Sequence, residues 1–252
     1  LGFTSAALSF MLGEIPKPVV LVGAQRSSDR PSSDSYGNLL SAARFCVNSD
    51  AAEVFVLMHG ETSDTCTHVH RGTKVRKMHA SRRDAFHSMN SGPVAALDLN
   101  GGLEMLSPCR PKSDVKVKAD TRMEPNVGLL HYYPGMSSSS VSRFAEGLRG
   151  LVIAGTGLGH VSKDLVKGLK GLASEGMPIV MTTQCLEGRV NLNVYDTGRD
   201  LLSAGVIPGE DMLPETALVK LMWVLGRTND LGEVRRMMVT DLRGEISERR
   251  GL

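Results

Sequence analysis

The stretch KPVVLVGAQRSSDRPSSD, Lys17 to Asp34, sets a short apolar run against a dozen residues that are nearly all polar. Residues 18 to 23 read as a buried strand, because an unbroken Val and Leu run suits a strand covered on both faces. A solvent loop needs no such density of donors and acceptors as Gly23, Ala24, Gln25, Arg26 and the serine-rich continuation to Asp34 provide. A site that holds a small polar molecule at the end of a strand does. Arg26 and Asp34 are the right charges to pin such a loop by an ion pair.

Outward from this strand, strand and helix signals alternate, the pattern of a mainly parallel sheet flanked by helices in an α/β protein. YGNLLSAARFCVN (36 to 48) reads as a helix and EVFVLMHG (53 to 60) as the next strand, with THVHRG and KVRKMH as shorter extended pieces. PVAALDLNGGLEML (93 to 106) holds two apolar runs around Asn100, Gly101 and Gly102, a hairpin signal. The polar, proline-bearing residues 109–125 form a linker between a first domain, 1–108, and a second, 126–252. The second domain restarts with VGLLHYYPGMS and LRGLVIAG, then the helix VSKDLVKGLKGLASEG, the strand MPIVMTTQ, and the helices TGRDLLSAG, PETALVKLMWVLG and DLGEVRRMMV. Ser137 to Ser140 cap the helix VSRFAEGL, and Pro214 and Gly226 bracket another in the expected order.

The bulk numbers exclude several classes. With 29 basic and 27 acidic residues the net charge is +2, too even for a surface devoted to nucleic acid. No apolar run approaches the roughly 20 residues that span a bilayer, which points to a cytoplasmic protein without membrane attachment. Cys46, Cys66, Cys109 and Cys185 share no CxxC spacing and read as reduced, buried thiols. His59, His68, His70 and His79 match no zinc pattern, so no metal is expected. GTGLGH, Gly155 to His160, sits between a strand and a helix, but His160 stands where a dinucleotide fingerprint has its third glycine.

The stretch RGTKVRKMHASRRDAF carries Arg71, Lys74, Arg76, Lys77, Arg82 and Arg83, with no acid before Asp84. It reads as a solvated basic face, a phosphate or RNA contact, or the source of a catalytic lysine. Period-two alternation places Lys77 with Val75, toward an interior. An interior ammonium needs a facing carboxylate, which makes Lys77 a functional candidate.

GAQRSSDRPSSD followed by NLL, then VLMHGETSD, then VHRGTKVRKMHASRRDAF together resemble the asparaginase and glutaminase family, most closely its archaeal amidotransferase branch. GLVIAGTGLGHV and PETALVKLMWVLG fit that family's second domain, so the resemblance covers practically the whole chain. It implies a two-domain asparaginase-like α/β fold and an amidohydrolase in which a threonine hydroxyl attacks a side-chain amide and releases ammonia. The threonine is activated through an aspartate that a lysine holds and tunes. The lysine of the motif aligns with Lys77, and Ala24 and Gln25 lie where the family offers main-chain atoms to substrate. The resemblance further implies L-glutamine as substrate, no cofactor in this chain, and a homodimer within a heterotetramer. The partner E subunit would use ATP and Mg to amidate Glu-tRNA(Gln) with the ammonia. A free-standing cytoplasmic L-asparaginase and an RNA-binding scaffold are the alternatives.

Neither the family's TGGT-like turn nor its HGTDT-like motif occurs in these 252 residues. The chain opens on Leu1 within the helical pattern LGFTSAALSFML, which in the family follows HGTDT. The expectation is therefore a fragment with an incomplete N-terminal domain, inactive by itself because the catalytic set acts as a unit.

Overall fold

The computed structural model describes residues 1–98 and 100–248 of a chain that divides into two units, Leu1–Asp120 and Thr121–Leu252. In the first unit α1 (Gly2–Leu12) precedes β1 (Val19–Val22), α2 (Ser35–Asn48) and β2 (Val54–His59). β3 (Cys66–Arg71), β4 (Val75–Lys77), β5 (Phe86–Ser88), β6 (Ala95–Asp98) and β7 (Leu103–Met105) follow. A five-stranded sheet runs in the order β1-β2-β3-β6-β7, and β4 and β5 form a separate ribbon. Only β1 and β2 are parallel in this sheet; β3, β6 and β7 continue antiparallel, with short connections from β2 to β3 and from β6 to β7 and the β4–β5 ribbon inserted between β3 and β6.

β2 is buried along all six residues. Phe55 and Leu57 pack on one face with Phe45 of α2 and with Val69 and Leu97, the Phe45 and Phe55 rings meeting edge-on at 5.2 Å. Val56 and Met58 pack on the other face with Val75, Ala85 and Phe86. Each such side chain contributes about 1.5–3 kcal/mol by leaving water, which is why the run is apolar without alternation. β1 departs from expectation: all four residues are half-buried, since it is the edge strand and pairs on one side only among the described residues. The hairpin forms with Leu97 opposite Leu103.

The second unit carries β8 (Val127–His131), α3 (Ser138–Ala145), β9 (Gly150–Gly155), α4 (Lys163–Ser174) and β10 (Ile179–Thr183). It continues with α5 (Asp196–Ser203), β11 (Ile207–Pro208), α6 (Pro214–Leu225) and α7 (Leu231–Val239). Its sheet is wholly parallel in the order β11-β10-β9-β8. Leu151, Ile153 and Met181 pack with Leu165 and Leu169 of α4 on one face. Val152 and Val180 pack with Leu221, Val224 and Met238 of α6 and α7 on the other. Ser137 caps α3 and Ser162 caps α4 through their hydroxyls, and Pro214 opens α6. No helix among the described residues is long and apolar enough to cross a membrane.

Candidate functional site

Where β1 ends, the main chain turns through Gly23, Ala24, Gln25 and Arg26, with Ala24 and Arg26 exposed and Gln25 half-buried. What holds the turn is a buried carboxylate. Asp34 Oδ1 accepts from the Gln25 N–H at 3.0 Å and the Arg26 N–H at 2.9 Å. Asp34 stands at the N-cap of α2, yet its carboxylate makes no cap bond and is committed to the turn. The expected ion pair is therefore absent: the Arg26 guanidinium donates to Ser32 Oγ at 2.8 Å, and Asp34 pins the loop through main-chain N–H groups. Burial pushes the Asp34 carboxyl up, but the N–H groups of Arg26 and Gln25 and the nearby His59 more than reverse this and hold it below the ordinary range.

One helical turn on, Asn38 Nδ2 donates to the Gly23 carbonyl at 2.9 Å and to Asp34 Oδ2 at 3.1 Å. Its Oδ1 meets Nδ1 of His59, at the end of β2, at 2.7 Å, and His59 Nε2 lies 3.1 Å from Asp64 Oδ1. Arg83 pairs with Asp64 and donates to the Ser32 carbonyl at 2.7 Å, closing the loop from outside. A cavity of about 380 Å³ opens beside this network, lined among others by Asp34, Tyr36, Arg44, His59, Asp64 and Arg83. A larger hollow of about 830 Å³ between α3 and α4 in the second unit contains none of the residues of this network.

Lys77 is not interior. It lies exposed at the end of β4, its ammonium 5.8 Å from the centre of the Phe86 ring. Alternation fails here because the ribbon of β4 and β5 is only three residues long. Val75 at its inner end packs into the core, while Lys77 at its outer end is left uncovered. The buried ammonium of the stretch is that of Lys74, 1% exposed, in the turn before β4. The remaining basic residues do not form a bare cationic face: Arg71 pairs with Glu53 at 2.7 Å, Arg82 with Asp84, and Arg83 with Asp64.

The histidines separate. His68 and His70 meet edge-on at 6.0 Å, and His70 Nδ1 bonds Ser88 Oγ at 2.9 Å. Burial, with His68 and His87 nearby, pushes the His70 imidazole down to about 3. Among the described residues no three His, Cys, Asp or Glu side chains are placed to hold a metal ion. Cys46, Cys66 and Cys109 are half-buried and Cys185 exposed, all as free thiols, rather than core residues. The GTGLGH turn closes on itself through paired bonds between Thr156 and His160, and a Cβ at Gly155 would meet Gly159 at 2.9 Å. Gly155 answers to that close approach, and Gly157 and Gly159 to their positive φ of 52° and 96°.

Comparison with known proteins adds the relationships. The family profile described as "Asparaginase, N-terminal" matches residues 1–108, and that described as "Glutaminase/Asparaginase C-terminal domain" matches 126–238. The chain is 59% identical over 249 residues to the D subunit of the glutamyl-tRNA(Gln) amidotransferase of Pyrococcus furiosus, covering 98% of this chain and 57% of that protein. It is 52% identical to the protein of the same name from Sulfolobus acidocaldarius, covering 98% and 56%. The chain thus spans a little over half the length of these curated relatives. Among solved structures, the thermostable L-asparaginase of Thermococcus kodakarensis superposes with a TM-score of 0.89 at 34% identity, covering 99% of this chain and 74% of that one. L-asparaginase I from Vibrio cholerae superposes with a TM-score of 0.85 at 30% identity, covering 98% and 73%.

Proposed function

The chain belongs to the asparaginase family, and from that premise we propose that it is part of the glutaminase-type subunit of a tRNA-dependent amidotransferase. The observation that carries the reading is the 59% identity, over nearly the whole chain, to a protein named as the D subunit of such an enzyme. L-glutamine is hydrolysed to glutamate and ammonia. The ammonia passes to the partner E subunit, which with ATP and Mg activates the misacylated Glu-tRNA(Gln) and amidates it to Gln-tRNA(Gln). The protein is cytoplasmic and works as a homodimer within a heterotetramer.

In this reading a threonine hydroxyl attacks the amide carbon, and its proton leaves toward an aspartate held by the Lys77 ammonium. Lys77 is chosen by its place in the VHRGTKVRKMHASRRDAF motif, since burial does not select it. A threonine alcohol is too weakly acidic to attack unaided at neutral pH, so a lysine that tunes its base affects the chemical step directly. The main chain at Ala24 and Gln25 faces the substrate, and the Asp34 carboxylate fixes its geometry. The paired arginines around Asp64 and Asp84 favour leaving tRNA binding mainly to the partner, because phosphate contacts require uncompensated charge.

A second reading, a free-standing L-asparaginase, is favoured by the superposition on the two L-asparaginases. Ammonia release from L-glutamine and L-asparagine by the complete protein, with and without the E subunit and Glu-tRNA(Gln), separates the two. Glutamine hydrolysis that rises with partner and charged tRNA supports the amidotransferase; strong asparagine hydrolysis indifferent to both overturns it.

A further inference from the structure

Three fully or nearly fully buried polar side chains from different parts of the first unit converge on one turn: Asp34 at 2% exposure, Asn38 at 0% and His59 at 3%. Burying a carboxylate, an amide and an imidazole together is costly unless every donor meets an acceptor. Here the allocation around Asn38 is determined. Asn38 Nδ2 gives its two hydrogens to the Gly23 carbonyl and to Asp34 Oδ2, so Asn38 Oδ1 can only accept, and His59 Nδ1 carries the hydrogen between them. Asp34 in turn accepts from the N–H groups of Gln25 and Arg26. One carbonyl and two N–H groups of a single turn are thus oriented by one chain of side chains that begins at His59.

We propose that His59, acting through Asn38 and Asp34, is the positioning residue of the Gly23 to Arg26 turn, and hence of the amide substrate that the proposed function sets against it. Apolar packing alone would hold α2 against the sheet. It would not require Asp34, at the N-cap position, to give its carboxylate to the turn instead of to the helix. The second nitrogen of His59 faces Asp64, which Arg83 ties to the Ser32 carbonyl, so the same ring also anchors the outer limb of the loop. The charged groups facing the ring are Asp34, 3.9 Å from Nδ1, and Asp64.

The two nitrogens can be tested apart in the complete protein. His59→Gln keeps a polar amide near Nε2 and loses the donor to Asn38; His59→Asn keeps a donor near Nδ1. Two quantities are read: hydrogen exchange at the Gln25 and Arg26 amides, and KM with kcat for L-glutamine. His59→Gln should speed exchange at both amides about tenfold and raise KM about tenfold with kcat within about threefold, and His59→Asn should rescue most of both. Unchanged exchange in His59→Gln, equal damage from both variants, or faster exchange with an unchanged KM overturns the assignment. Where His59→Gln does not fold, Asp34→Asn, which keeps the shape but weakens the acceptor, decides on the same two readouts. Absence of glutamine hydrolysis in the wild type would refute the functional reading instead, and exchange at Gln25 and Arg26 would still decide the positioning of the turn.

Discussion

Replacing Lys220 by methionine should be among the most damaging single changes in the second unit. Lys220 on α6 and Glu245 are both wholly buried, 2.5 Å apart. The ammonium also donates to the Met238 carbonyl at 3.0 Å and the Thr240 carbonyl at 2.6 Å. Glu245 accepts from the Leu242 N–H at 3.0 Å and the Arg243 N–H at 2.6 Å, so the pair fastens the segment after α7 onto α6. Burial pushes the Glu245 carboxyl up, but Lys220, Asp241 and the Leu242 N–H outweigh it, and the carboxylate stays charged. Lys220→Met removes the only cation paired with that charge among the described residues and the donor to two carbonyls, a loss of about 3–5 kcal/mol, or of order 10 °C or more in Tm. Thermal and urea unfolding measure it. The double variant Lys220→Met with Glu245→Gln removes both charges and should be more stable than Lys220→Met alone. A single-variant cost below about 1 kcal/mol, or a double variant as unstable as the sum of the singles, would show that the pair does not fasten this segment.

Acidification should unfold the first unit through His70, whose imidazole is held down to about 3 against an ordinary 6.5. Below pH 6.5 the unfolded chain binds a proton that the fold refuses, so stability falls by about 1.4 kcal/mol per pH unit; urea midpoints from pH 7.5 to 5 should show it, and His70→Asn should flatten the slope. Gly198→Ala drives a Cβ into the Leu192 carbonyl group, 2.9 Å from its carbon, and should cost about 1–3 kcal/mol or more in urea unfolding. Gly171→Ala, on the exposed side of α4 with nothing within 4 Å, should instead stabilise by about 0.5–1 kcal/mol.

Features written in local sequence are legible without coordinates. The β1 strand and its polar turn, the Ser137 cap, Pro214 at the start of α6 and the hairpin at Gly101 all depend on neighbours a few residues away. Features set by distant packing are not. The half-burial of β1 depends on its place at the sheet edge, and Lys77 is exposed because the β4–β5 ribbon ends there. By sequence alone His59 is only one of several histidines that match no zinc pattern, since its partner Asn38 is 21 residues away. Two signals point to its larger role: a polar residue closing the fully buried strand VFVLMH, which must find a partner, and the i, i+4 spacing of Asp34 and Asn38. Lys220 and Glu245, 25 residues apart, offer no comparable signal.

The proposed function stands or falls on whether this chain carries the lysine of a threonine-based amidohydrolase that feeds ammonia to tRNA amidation. The decisive comparison is ammonia release from L-glutamine by the complete protein, wild type against Lys77→Met at matched Tm. The expected outcome is a loss of about three orders of magnitude or more in kcat/KM with the fold intact. Activity within about threefold of wild type would contradict it.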